Sequence, residues 1–232
     1  MSSPPAPARA TTQRLLLVLD FDGLLLNSYE LLRLSFEEFG LDVGDETRFR
    51  NRRKFLKYVG GGKEWLVNLA SIALPRKKQL RHSLTRNYRD SGRIFAEFVP
   101  LLNDCIASPC IHTGIVSRNY TVQPGATIRQ VLVNSQVNES ELDFVIPLPV
   151  GSRKHDVLEG MRATRYSGSV FAGDEVGDYQ AARECGYTVV MAGYGFDTRQ
   201  RLERRAEVPP ELIFDTPAAL ATRLRELVLP YL

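Results

Sequence analysis

The chain has 232 residues, 44% of them hydrophobic and 25% charged, with a formal net charge of +3. This is globular composition, long enough for one large α/β domain or a domain plus an insertion. No apolar stretch approaches the roughly 20 residues needed to span a bilayer, which excludes a helical membrane protein.

Residues 1–13 (MSSPPAPARATTQ) are rich in Pro, Ala, Ser and Thr and lack the apolar run of a secretory signal. They read as a disordered tail. Leu15–Leu19 (LLLVL) is short, aliphatic and bounded by turn formers, the pattern of a buried parallel strand. Two carboxylates, Asp20 and Asp22, follow it, with Gly23 next. In open α/β sheets ligands bind at that end of a strand. Two aspartates one residue apart repel each other there unless something offsets their charge, and a divalent cation is the usual solution.

The pattern then turns helical. Leu31, Leu32, Leu34, Phe36 and Phe39 recur at helical spacing and Gly40 stops the run. Further helices are predicted over 45–59, 64–74 and 76–90, with breaks at glycines 60–62 and at Pro75, and Ser91-Gly92 closes the segment. Residues 29–91 thus read as an all-helical insertion. They hold 14 Lys/Arg against 8 Asp/Glu, while the rest of the chain holds 16 against 19. A basic insert on an acidic core points to a metal-holding site opposed by a surface that attracts anions. No nucleic-acid-binding fold accompanies the basic run, so a nucleic acid is not the expected partner.

From residue 92 onward strands and helices alternate. Strands are predicted at 111–116, Phe144–Pro147, 169–172, Thr188–Ala192 and 212–214, and helices at 100–106, 126–135, 154–162, 178–185 and 217–229. Short loops between alternating elements predict a doubly wound parallel sheet. The three cysteines show no CxxC spacing and read as reduced, buried thiols of a cytoplasmic protein. The histidines, His82, His112 and His155, are too scattered to form a metal cluster.

Four strand ends carry polar groups: Asp20 and Asp22; Ser117 in IVSRN; Arg153-Lys154 opening a helix; and Asp174, Glu175 and Asp178 in GDEVGD. All four fall where loops of one sheet edge converge. In order, DFDGLLLNS, IVSRN, the basic residue of RKHDVLEGMRA and GDEVGDYQAARECG resemble the four motifs of the haloacid dehalogenase-like hydrolases, in the phosphatase branch with an inserted helical cap. The layout, including GYGF at 193–196, is similar to the phosphoglycolate phosphatase-like group.

That resemblance implies a Rossmann-like core at 14–28 and 92–232, a cap at 29–91, and Mg²⁺-dependent hydrolysis of a small phosphorylated metabolite. Asp20 would be the nucleophile and Asp22 the general acid and base. Ser117 would donate a hydrogen bond to the phosphoryl group, and Lys154 would offset negative charge at the nucleophile and substrate. Asp20, the Asp22 backbone carbonyl and Asp174 would hold the metal, with Asp178 ligating or orienting it. Gly23, Ser117, Arg118 and Asn119 would meet substrate, and Arg53, Lys57 and Lys63 of the cap are candidates for a second anionic group. Arg153 competes with Lys154 for the cation's role. Leu24, Asn27, His155 and Glu175 depart from the residues common at their positions. A monomer or homodimer is expected. A phosphomutase on the same scaffold and a non-catalytic metabolite-binding protein are the alternatives.

Overall fold

The structure, a computed structural model, describes residues 14–40, 46, 75–149, 151–162 and 166–232. Six parallel strands form one sheet: β1 (Leu15–Leu19), β2 (Ile111–Ser117), β3 (Phe144–Pro147), β4 (Gly168–Gly173), β5 (Thr188–Ala192) and β6 (Ile213–Phe214). Their spatial order is β3-β2-β1-β4-β5-β6. The chain therefore winds outward one way from β1, then returns to β4 on its other side, leaving a crevice beyond the carboxyl ends of β1 and β4.

β1 is buried along its whole length because both its faces are covered. Leu15, Leu17 and Leu19 pack in a core with Leu101, Leu102, Ile128, Val131, Leu220 and Leu224. Leu16 and Val18 face the other way, into a second core with Leu158, Tyr179, Ala182 and Leu202. The period of two along the strand divides one apolar run between two layers of helices. The first layer comprises α3 (Phe98–Ala107), α4 (Pro124–Asn134) and α8 (Pro217–Val228); the second comprises α5 (Lys154–Met161), α6 (Val176–Glu184) and α7 (Arg199–Ala206).

Two more helices stand over the carboxyl edge. α1 (Ser28–Glu37) is capped by Asn27, whose side chain accepts from the Tyr29 N–H. After α1 the chain turns through Gly40 at φ +69°. Leu34, expected on its apolar face, is 39% exposed. α2 (Pro75–Ser91) begins at Pro75, where the sequence predicted only a break; proline fits a first helical position because the N–H there needs no partner. Ser83, Arg86 and Asn87 of α2 all donate to Glu38, at 2.7, 2.6 and 3.2 Å. The helices predicted at 45–59 and 64–74 lie outside the described residues.

β1, β3 and β5 have the predicted bounds, and the other strands and core helices differ by one or two residues at their ends. α7 was not predicted at all. Cys105 and Cys185 are buried, whereas Cys110 is half-buried. Among the described residues no helix is long and apolar enough to cross a membrane.

Candidate active site

The DFDGLLLNS segment forms a tight loop pinned by its own leucines. Leu24, Leu25 and Leu26 are all buried, and the N–H groups of Leu25 and Leu26 both reach back to the Phe21 carbonyl. Gly23 takes φ +82°, a conformation that disfavours any side chain, and donates its N–H to Leu26. The loop leaves the Asp20 carboxylate at the strand end with the Phe21 N–H on Oδ1 at 2.7 Å and Lys154 Nζ on Oδ2 at 2.6 Å.

Lys154 is the first residue of α5 and is buried, while its neighbour Arg153 is exposed. Its ammonium bridges Asp20 to Asp178 Oδ1, 2.7 Å away, and lies 5.4 Å from the Phe171 ring centre. Asp178 also sits 3.4 Å from each of the N–H groups of Asp174 and Glu175, at the start of α6. Asp174, fully buried, accepts the Phe196 N–H on Oδ2 at 2.6 Å. Its Oδ1 is buried with no hydrogen-bond partner among the described residues.

Ligand-capable oxygens of Asp20, Asp174 and Asp178 all lie within 4.8 Å of one another. Burial pushes Asp20 up to about 8, against the pull of Lys154 and with the push of Asp178. Burial also drives Asp174 well above the carboxylate range, and the charges of Asp20, Glu175 and Asp178 add to it. Asp178 goes the other way: burial opposes its charge, but the Lys154 charge and the hydrogen bonds of Asp20, Lys154 and the Glu175 backbone together outweigh it and hold the group low. Burial works against the charge of Lys154, yet Asp178 and Asp20 keep it above the ordinary lysine range. Three carboxylates thus face one ammonium, with one carboxylate oxygen unsatisfied. An all-oxygen donor set with excess negative charge fits Mg²⁺, a hard cation that prefers oxygen ligands.

Asp22, which lines the same cavity as Asp20 and Lys154, has its own set of donors. Ser28 Oγ donates to its Oδ1 at 2.5 Å, the Tyr88 hydroxyl to the same oxygen at 2.7 Å, and Asn119 Nδ2 to Oδ2 at 2.9 Å. Burial raises its pKa in spite of these three donors. Ser117, the last residue of β2, is buried, and its Oγ has no hydrogen-bond partner among the described residues. A cavity of about 210 Å³ opens over the strand ends. Asp20, Asp22, Ser117, Lys154, Arg118 and Tyr88 are among its lining residues. Arg118 lies at its side, 3.7 Å from Glu175.

The structure thus brings Asp20, Asp22, Ser117, Arg118, Lys154, Asp174 and Asp178 to one edge. Gly23 and Asn119 are beside it but committed inward, Gly23 to Leu26 and Asn119 to Asp22 and Thr121. Arg53, Lys57 and Lys63 lie outside the described residues. Sequence reasoning did not single out Tyr88 or Asp197. Asp197 is buried, accepts the Val176 N–H at 2.8 Å and pairs with Arg201 at 2.7 Å, anchoring the start of α6 to the loop after β5. The glycines flanking Tyr194 were the available signal: at Gly195 a β-carbon would come within 2.3 Å of Asp174 Cβ.

No family model matches the sequence, and no curated protein matches it either. Solved structures do. The chain is similar to a haloacid dehalogenase-like hydrolase from Streptococcus pneumoniae, at 16% identity over 92% of this chain and 99% of that one, with a TM-score of 0.60. It is similar to a protein from Haemophilus somnus described as a predicted phosphoglycolate phosphatase, at 16% identity over 93% and 99%, TM-score 0.60. The protein tyrosine kinase A of Mycobacterium tuberculosis matches at 18% identity over 94% and 99%, TM-score 0.61. The chain has the haloacid dehalogenase-like fold, and proteins of differing names share it, so function must be argued from the site.

Proposed function

We propose that this protein is a Mg²⁺-dependent phosphatase that hydrolyses the phosphate monoester of a small metabolite. The observation that carries this reading is the pairing at the ends of β1 and β4. A carboxylate, Asp20, is held 2.6 Å from a buried ammonium and beside two more carboxylates, one with an unsatisfied oxygen. Such a cluster is costly to bury without a cation.

Asp20 Oδ1 or Oδ2 would attack phosphorus and form an aspartyl-phosphate as the ester P–O bond breaks. Lys154, 2.6 Å from Asp20, would offset negative charge on the nucleophile and the phosphoryl oxygens. Ser117 Oγ, otherwise unsatisfied among the described residues, would donate to a phosphoryl oxygen. Asp22, whose raised pKa favours its protonated form, would give its proton to the leaving oxygen. It would then take a proton from the water that cleaves the aspartyl-phosphate. Asp20, Asp174 and Asp178, with the Asp22 backbone carbonyl, would hold Mg²⁺, which when bound neutralises charge and orients the phosphoryl group. Arg118, and from the basic segment Arg53, Lys57 and Lys63, would meet a second anionic group on the substrate.

The test is phosphate release from a panel of phosphorylated sugars, glycolate, glycerol and nucleotides, with Mg²⁺ or with EDTA, using Asp20→Asn as control. Mg²⁺-dependent release that disappears in the variant is the expected result. Release that survives Asp20→Asn would overturn the nucleophile assignment. Isomer formation without phosphate release would identify a mutase, and tight binding without turnover a metabolite-binding protein.

A further inference from the structure

Tyr88 belongs to none of the motifs, yet its hydroxyl reaches the centre of the site. It is buried, lines the cavity, and donates to Asp22 Oδ1 at 2.7 Å across 66 positions of sequence. Three donors converge on Asp22. Ser28 begins α1, directly after the DFDGLLLN loop, and Asn119 follows β2. Tyr88 is the one supplied by α2.

The seat of α2 is built in detail. Arg81 donates to the carbonyls of Tyr120 and Thr121 at 3.1 and 2.9 Å. The Val122 N–H donates to Thr85 Oγ1 at 2.9 Å. Arg89 donates to Gln123 and Thr127 at 2.9 and 3.2 Å. These bonds grip the loop that follows Ser117 and carries Asn119, and the first turn of α4 beyond it. The helix is thus registered against the loop by side chains at 81, 85 and 89, one helical turn apart, and Tyr88 shares that face.

We propose that Tyr88 is a positioning residue for Asp22, so that the seating of α2 sets the orientation of the acid. This rests on the phosphatase reading. Ser28 and Asn119 hold one carboxylate oxygen each. Tyr88 adds a second contact on Oδ1 and keeps the carboxylate plane from turning about its Cβ–Cγ bond. That plane matters twice. As the ester P–O bond breaks, its electron pair stays on the leaving oxygen, which takes the proton from Asp22. In the second half-reaction a water proton passes to the same carboxylate as the water oxygen bonds to phosphorus and the aspartyl-phosphate bond breaks. Each transfer needs the carboxyl within hydrogen-bond reach of an oxygen that Asp22 itself does not fix.

The experiment compares wild type, Tyr88→Phe and Asp22→Asn on two classes of ester. One is 4-nitrophenyl phosphate, whose leaving group departs with little help from a proton. The other is the best alkyl phosphate of the panel, with ethyl phosphate as the default. Phenylalanine keeps the ring in the core, and thermal melting reports whether the fold is kept. For Tyr88→Phe, kcat on the alkyl ester should fall roughly 10- to 100-fold with KM little changed, the scale of a misplaced catalytic group. On 4-nitrophenyl phosphate the first half-reaction, read as the burst of 4-nitrophenol, should change less than about threefold, because the water step that also needs Asp22 is common to both esters; Asp22→Asn should show the same selectivity more strongly. Equal losses in the first half-reaction on both esters, or no loss on either, would overturn the proposal and leave Tyr88 a packing residue. If wild type releases phosphate from no compound, the phosphatase reading itself fails. Crystal structures of wild type and Tyr88→Phe then decide the positioning claim: an Asp22 carboxylate that does not move overturns it, and one that turns supports it.

Discussion

Gly23 and Asp174 touch across the crevice between β1 and β4: a β-carbon on Gly23 would stand 2.2 Å from Asp174 Oδ2. That oxygen is the one the Phe196 N–H holds. Gly23→Ala therefore combines two effects. A left-handed φ costs an alanine about 1–2 kcal/mol, and the new methyl displaces a carboxylate from the acidic cluster of Asp20, Asp174 and Asp178. Phosphate release should drop about 100-fold or more, as expected when a site is displaced by about 1 Å, with a modest fall in Tm. Wild-type kcat/KM in Gly23→Ala would show that the close approach has no functional weight.

Lys154 is the single described cation among Asp20, Asp174 and Asp178, and it is buried. Replacing it by methionine leaves two carboxylates that have lost their partner, which costs on the order of 3–5 kcal/mol. Urea unfolding without metal should show a loss of that size at pH 8 and a smaller one at pH 5, because Asp178, held ionised beside Lys154 in wild type, takes up a proton once the ammonium is gone, and the cost of that uptake grows with pH. Adding Asp178→Asn should restore part of the loss. A double variant less stable than Lys154→Met would contradict the charge argument.

Asp174 is buried with a raised pKa, so its charged form is disfavoured in the folded state. For a carboxyl whose folded pKa lies above its unfolded value, the stabilisation is full below the unfolded pKa and lost as pH rises through the folded one. At pH 8 in EDTA, Asp174→Asn should melt no lower than wild type. Mg²⁺ should raise the Tm of wild type through mass action and leave the variant unchanged. An equal Mg²⁺ shift in both would remove Asp174 from the ligand set. Removing metal from the wild type should abolish activity.

Legibility in the sequence followed the range of the interaction. The strand ends were readable because a short aliphatic run followed by Asp, Ser or Gly-Asp is a local signal, and Asp20, Ser117 and Asp174 all sit on one. α7 was not readable: only Leu202 and Ala206 of its eight residues are buried, and arginines fill half of it. Two apolar positions do not make a stripe. Arg153 and Lys154 are adjacent cations with nothing local to separate them; the fold buries Lys154 at the start of α5 and leaves Arg153 exposed. The donors to Asp22 were the hardest to see. Tyr88 and Asn119 lie 66 and 97 positions away, and nothing near either names its partner.

Asp22 should leave its mark on the pH dependence of turnover. Burial raises its pKa, more than Ser28, Tyr88 and Asn119 together lower it. The acid is competent while protonated, so kcat/KM for an alkyl phosphate should fall as pH rises through that raised value. Asp22→Asn should lower the rate by about 100-fold or more, the usual worth of a general acid, and flatten that limb. A basic limb unchanged in Asp22→Asn would belong to another group.

Glu38 ties α1 to α2 and titrates in the opposite sense. Hydrogen bonds from Ser83, then Arg86, hold its pKa below the ordinary glutamate value. A carboxyl with a depressed folded pKa contributes stability above its unfolded pKa, near 4.5, and that contribution fades as pH falls through the folded one. The side chain is partly exposed, at 36%, so water screens the Arg86 pair and the effect is small. Glu38→Gln should therefore lower Tm slightly at pH 7, and the difference should shrink as pH falls through the depressed folded pKa, where wild type loses the charge. Because α2 carries Tyr88, the same variant should also lower kcat on alkyl phosphates more than on 4-nitrophenyl phosphate. A Tm difference that does not shrink with falling pH would mean that Glu38 acts through packing instead of charge.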